Sequence, residues 1–181
     1  MRGSRCAALL PCHSAFAVRD TLWVVVPTMH KGSAVRAMRR ISNRGGTAGP
    51  DVEGPGLPER WVAAIMRSML VALQYLHAAG TLHRDIKGGN VLLDGKMGPM
   101  LADFGVSQWL REPVAEAYKR KTRTLVGTTC FIAPEVLDTA SGYNSKVDIW
   151  SLGITSLELA MGRAPYSELE SEEVLVKLLT K

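Results

Sequence analysis

Apolar positions along the chain fall into runs of two different periods. Residues 13–18 (HSAFAV) and 22–26 (LWVVV) are short, rich in β-branched and aromatic residues, and separated by Arg19-Asp20-Thr21, which predicts a hairpin. Ser33 stands where an N-cap would open a helix through Arg40. Residues 42–58 carry five Gly and three Pro, too many for a regular element, and predict a linker. From Glu59 to Ala79, Val62, Ile65, Met66, Met69, Leu73 and Leu76 return at three- and four-residue steps. That pattern predicts an amphipathic helix, with Pro58 at its start and Gly80 at its stop. Val91-Leu92-Leu93 and Met100-Leu101-Ala102 flank the turn Asp94-Gly95-Lys96 and predict a second hairpin. A helix from Asp148 to Met161 is closed by Gly162 and Pro165. A last helix, opened at Ser167 or Ser171, places Val174, Leu175, Leu178 and Leu179 on one face.

A chain of 181 residues can form one core of ordinary size. Hydrophobic residues at 46% and charged residues at 22% give it a globular composition. The net charge of +5 suits a protein that handles phosphates. No basic-aromatic stripe or zinc-type spacing accompanies that charge, so no nucleic-acid partner is expected. Cys6, Cys12 and Cys130 form no Cys-x-x-Cys and leave an odd thiol, which argues against a disulfide framework or zinc site and for the cytoplasm. No apolar run approaches the length of a membrane span. Residues 1–19 hold Arg2, Arg5 and Arg19 and no acid, a composition shared with transit peptides, although much of the stretch reads better as a strand.

The chemistry concentrates between Leu82 and Gly105, LHRDIKGGNVLLDGKMGPMLADFG. Asp85 lies in His83-Arg84-Asp85, Lys87 follows two residues later, Asn90 five residues later, and Asp103 opens an Asp-Phe-Gly. A carboxylate can take the proton of an attacking hydroxyl, and an ammonium can sit on a transferring phosphate. An amide oxygen and a second carboxylate can hold metal ions, and the hairpin would bring Asn90 and Asp103 to one end of two paired strands. A lone His-Arg-Asp is usually a solvated turn. Four chemically distinct positions in this order, joined by a hairpin, argue against that reading.

On these residues the chain resembles the eukaryotic protein kinases, and Lys87 two residues after Asp85 resembles their serine/threonine type. Gly127–Glu135 (GTTCFIAPE) and Gly142–Thr155 (GYNSKVDIWSLGIT) are similar to the sterile-twenty-like group, in its germinal-centre branch. Leu22-Trp23, Gly32-Ser33, Ala102–Ser107 and Glu158-Leu-Ala-x-Gly-x-Ala-Pro-Tyr166 look most like the oxidative-stress-responsive (SPAK and Fray) kinases. The resemblance implies an α+β, protein-kinase-like fold and a partial kinase domain over 1–181. Residues 13–29 would be the last two strands and hinge of the small lobe, 42–58 a linker, and 59–181 the helical large lobe, truncated at its C-terminal end.

The resemblance also assigns roles. ATP and Mg2+ would be the cofactors, a protein serine or threonine hydroxyl the acceptor, and an upstream activating kinase a partner. Asp85 would be the base and Lys87 the phosphate contact, Asn90 and Asp103 would hold the metal, and Thr128 would bridge Asp85 and Lys87. Val26, Thr28, Met29, Leu93 and Asp103 would meet the nucleotide. Thr124, with Thr122 as runner-up, would take a regulatory phosphate received by Arg84, in an activation segment closed by Ala133-Pro134-Glu135. Asp148 would support the His-Arg-Asp turn from below.

The chain also departs from the family pattern. It has no Gly-x-Gly-x-x-Gly, its only lysine before Lys87 is Lys31, beyond the hinge, and its first glutamate is Glu53, in the linker. The strand lysine and helix glutamate that grip the phosphates in a working kinase therefore have no counterpart. No arginine follows Arg163 to pair with Glu135. Two readings follow: a fragment of a serine/threonine kinase, or a non-catalytic, pseudokinase-like binding module or scaffold.

Overall fold

Ser14–Val18 (β1) and Thr21–Val25 (β2) form the expected antiparallel ribbon, with Phe16 opposite Trp23 and their rings stacked at 6.4 Å. The computed structural model that shows this describes residues 6–42, 56–95, 98–105, 107–109, 128–137 and 142–180. The ribbon is apolar on both faces and largely exposed, with Leu22 at 69% and Trp23 at 55%. Gly32–Ser33 (β3) leads into the helix Ala34–Ser42 (α1), where the Arg36 amide donates to Ser33 Oγ at 3.2 Å, the predicted cap.

The long helix Glu59–Ala78 (α2) buries Val62, Ile65, Met69, Leu73 and Leu76 along one face. It ends where Gly80 adopts φ 69°, the left-handed turn that glycine tolerates. Part of the predicted linker is packed structure: Leu57 is buried and its amide donates to Leu159 O at 2.7 Å. Thr81–Leu82 (β4) pairs later with Gln108–Trp109 (β7).

Val91–Asp94 (β5) and Gly98–Leu101 (β6) are the second predicted hairpin, registered Val91 to Leu101 and Asp94 to Gly98. β3 adds antiparallel to β5, giving the order β3-β5-β6. On the open side of β6, Leu9 bridges Leu101 in parallel, with Leu101 N to Ala8 O at 2.8 Å and Leu10 N to Leu101 O at 2.9 Å. The pattern of residues 6–10 predicts no element, yet this segment borders the sheet and buries Ala8, Leu9 and Leu10.

Lys146–Met161 (α3) starts two residues before the expected point, so Asp148 is its third residue and turns its carboxylate away from the capping position. Gly162, at φ 85°, closes it. In the last helix, Ser171–Leu179 (α4), the cap is Glu170, neither of the predicted serines. Its side chain accepts from the Glu173 backbone, and the Glu173 side chain reciprocates at 3.1 Å. The main core joins α2, α3 and the β5–β6 hairpin through Met69, Leu73, Ile86, Val91, Leu101, Leu152 and Leu159. Among the described residues no helix is long and apolar enough to cross a membrane.

Candidate active site

Residues 83–90 cross from β4 to β5 over the buried start of α3. Asp148 is fully buried, and its carboxylate accepts from His83 N at 3.0 Å, Arg84 N at 2.8 Å and His77 Nε2 at 2.7 Å. Those bonds hold Arg84 at φ 69°, a left-handed conformation that a residue with a side chain adopts only when its surroundings impose it. The support expected of Asp148 is therefore present as geometry.

His83 is buried, and its two ring nitrogens have complementary partners. Nε2 donates to Ala102 O at 3.2 Å, while Nδ1 accepts from Asp85 N at 3.3 Å. Only the neutral imidazole can make both bonds. Burial lowers its pKa, outweighing the pull of Asp148, Asp85 and Asp103 toward the cation. Phe104 stands edge-on to the ring at 5.1 Å between centroids, which ties the Asp-Phe-Gly turn to this loop.

Three of the predicted catalytic side chains close a triangle. Lys87 Nζ donates to Thr128 Oγ1 at 2.7 Å and approaches Asp85 at 2.9 Å, and Thr128 Oγ1 donates to Asp85 Oδ1 at 3.0 Å. Asn90 Nδ2 donates to Asp85 Oδ2 at 2.9 Å and to Asp85 O at 2.7 Å. Burial pushes the Asp85 pKa up, but the hydrogen bonds from Lys87, Asn90 and Thr128 and the Lys87 charge outweigh it, so the carboxyl lies below its ordinary range. It is an anion with a fixed direction at neutral pH.

The hairpin joins Asn90 to Asp103 as expected. The Ala102 amide donates to Asn90 O at 2.9 Å, and Asp103 follows in the left-handed region at φ 65°, its exposed carboxylate accepting from Gly105 N at 3.1 Å. With its Nδ2 committed to Asp85, Asn90 keeps its amide oxygen for a cation. One carboxylate and one amide oxygen are hard donors that suit magnesium, whose remaining positions phosphates and water can fill.

The predicted nucleotide contacts divide. Val26 lies just beyond β2 and borders a cavity of about 810 Å³ together with Leu10, Cys12, Val24, Asp103 and Phe104. Met29 packs with Leu92 against Leu10, Met100 and Ala102, while Thr28 is exposed. Leu93 does not belong with them. The alternation along β5 turns Leu93, like Val91, into the helix-side core, so that Leu92 takes the face shared with Met29 and Leu10. Thr124 and Thr122 lie outside the described residues. Arg84, the expected phosphate receiver, has Nη1 3.5 Å from Tyr143 Oη. Cys130 borders a groove with Pro134, Trp150 and Tyr166, and burial raises its thiol pKa, so it is not an activated thiolate.

Sequence reasoning did not find Glu158 as a part of this site. Its Oε2 accepts from Gly88 N at 2.8 Å across 70 residues of chain, and no local pattern signals such a contact.

Comparison with known proteins places these residues in context. A family model described as "Protein kinase domain" matches residues 1–181. Germinal center kinase 3 of Caenorhabditis elegans is 39% identical over 168 residues, covering 92% of this chain and 28% of that protein. Serine/threonine-protein kinase fray2 of Dictyostelium discoideum is 37% identical over 92% of the chain and 15% of its own length. Serine/threonine-protein kinase cst-1 of Caenorhabditis elegans is 37% identical over 93% of the chain and 30% of its own length. The chain thus spans less than a third of each of these relatives.

Proposed function

The chain belongs to the protein kinase domain family, with serine/threonine kinases of the germinal-centre and Fray type among its relatives, and on that premise we propose that it transfers the ATP γ-phosphoryl group to a serine or threonine hydroxyl of a protein. The observation that carries the proposal is the triangle of Asp85, Lys87 and Thr128. Asp85, held ionised, orients the acceptor hydroxyl and takes its proton once the oxygen has begun to bond to phosphorus. Lys87 is placed to meet the charge that gathers on the transferring group, and Thr128 keeps both side chains in register. Asn90 and Asp103 would hold magnesium, which supplies neutralisation of phosphate charge when bound. The backbone around Val26, Thr28 and Met29 would meet the adenine edge, with Leu92 in place of Leu93 beneath it.

In this reading residues 13–29 are the hinge side of a small lobe, and residues 59–181 belong to a large lobe. An upstream kinase would act on Thr124, and Arg84 would receive the phosphate. The three free cysteines agree with a cytoplasmic signalling protein. The second reading, a non-catalytic, pseudokinase-like binding module or scaffold, is favoured by one observation: Lys31 lies beyond the ribbon, where its amide bonds Leu93 O, so β1 and β2 offer the phosphates no lysine. Loss of one preorganised donor costs about 10²–10³ in rate, so turnover by these 181 residues should be slow.

The test is transfer from radiolabelled ATP·Mg2+ to a serine/threonine peptide library by the chain and its Asp85→Asn variant. Loss of the base should lower turnover about 10²–10⁴-fold while nucleotide binding persists. Equal transfer by both proteins would sink the assignment. Binding of ATP without any transfer would select the scaffold.

A further inference from the structure

One face of α3 carries Asp148, Thr155 and Glu158, spaced seven and three residues apart. All three reach the backbone of the catalytic loop. Asp148 accepts from the amides of His83 and Arg84, Thr155 Oγ1 lies 3.4 Å from Ile86 O while donating its proton to Ser151 O at 2.7 Å, and Glu158 Oε2 accepts from Gly88 N at 2.8 Å. The loop is thus held from below by hydrogen bonds at 83–84 and at 88, with Thr155 packed against Ile86 O between them. The residues between the grips, Asp85 and Lys87, carry the chemistry and meet Thr128 on the other side.

From this alternation we infer that Glu158 is a positioning residue for Lys87, fixing the Lys87–Gly88 peptide and with it the direction from which the ammonium reaches Thr128 and Asp85. Further observations agree. A Cβ at Gly88 would lie 2.8 Å from Glu158 Oε2 and 2.8 Å from Val35 Cγ2, so the loop sits against α3 and α1 as closely as glycine allows. The bond also requires an N–H at position 88, which glycine retains and proline would not. Glu158 further lies within electrostatic reach of Arg39 and Lys87, which favour its anion against the cost of its burial. A hydrogen bond from a backbone amide to a charged carboxylate is among the stronger kinds, sufficient to hold one peptide of an otherwise short loop.

The kinetic half of this inference rests on the phosphoryl-transfer reading; the positioning of the peptide does not. The test uses the full chain with Glu158→Gln, which keeps an acceptor oxygen at the same reach, and Glu158→Met, which keeps the volume and removes the acceptor. NMR exchange of the Gly88 amide should quicken about 10- to 100-fold in Glu158→Met and stay near the parent rate in Glu158→Gln. The β5–β6 amides should exchange alike in all three proteins. Turnover should fall by a similar factor in Glu158→Met at unchanged KM for ATP, with Gln restoring it. Unchanged Gly88 exchange in Glu158→Met, or a Gln variant behaving like Met, would overturn the inference. If the parent chain transfers no phosphate, the proposed function fails by itself, and Gly88 exchange still decides what Glu158 holds.

Discussion

Asp85 and Asp148 are carboxylates of opposite kinds, and the contrast fixes what each substitution does. Asp85 is partly exposed and faces Lys87, Thr128 and Asn90, so an amide in its place leaves the surrounding fold intact and removes the proposed proton acceptor. Asp148 is 0% exposed and touches no reacting group, yet two loop amides and the His77 ring end on it. Alanine there would strand three buried donors at about 1–3 kcal/mol each. Asp148→Ala should therefore lose more than about 3 kcal/mol of stability, read from the urea midpoint at constant slope. A loss under about 1 kcal/mol would mean that water already satisfies the loop from below. The left-handed φ of Arg84 makes the larger loss the expected one, since the strain persists only while those bonds hold it.

Two hairpins of similar sequence character end up in unlike surroundings. The β5–β6 pair is flanked by β3 on one side and residues 8–10 on the other, and α2 covers it. The β1–β2 ribbon has no further strand among the described residues and exposes Phe16, Leu22, Trp23 and Val24. An isolated two-stranded ribbon is marginal in water. Its amides should exchange orders of magnitude faster than those of Val91 and Leu101, through local opening that leaves the rest folded. Equal protection would show the ribbon to be part of the global unit. This difference marks the limit of what sequence conveys. The stripe of α2, both hairpins and the spacing that gathers Asp85, Lys87 and Asn90 were legible because each is a local period or spacing. The Leu92–Leu93 pair was not, because both residues are leucine and only the partners on each face of β5 distinguish them. Residues 6–10 carry no alternation, and their pairing depends on an edge that forms ninety residues away. Asp148 was expected to support the His-Arg-Asp turn only through the family resemblance, since its partners lie 64 to 71 residues distant and no local pattern signals them. The Gly88–Glu158 bond is invisible for the same reason.

At the scale of the whole molecule these contacts converge on acid sensitivity. Burial places the folded-state pKa of His83 below the usual 6.5, so the unfolded chain takes up a proton first as pH falls. Its contribution to stability is complete above about 6.5 and is lost progressively from there down to the folded value. Asp85, also lowered, adds stability above 3.8 that is lost only as pH falls through its own folded pKa. Glu158 acts in the other direction: burial raises its pKa, so it favours the fold below 4.5 and loses that contribution as pH rises through the raised value. Near pH 6 the His83 effect stands alone among these three on the side of acid loss. The urea midpoint should therefore drop between pH 7 and pH 5, and the His83 ring should stay neutral in the folded chain below pH 6.5 by NMR titration. A flat midpoint, or a ring that takes up its proton above 6.5, would contradict this account. Protonation at Nδ1 would also eject the Asp85 amide, while Nε2 still holds Ala102 O beside Asp103. Below the window, then, the loop should loosen first at Asp85, and the proposed phosphoryl transfer should decline before the sheet at β5–β6 does.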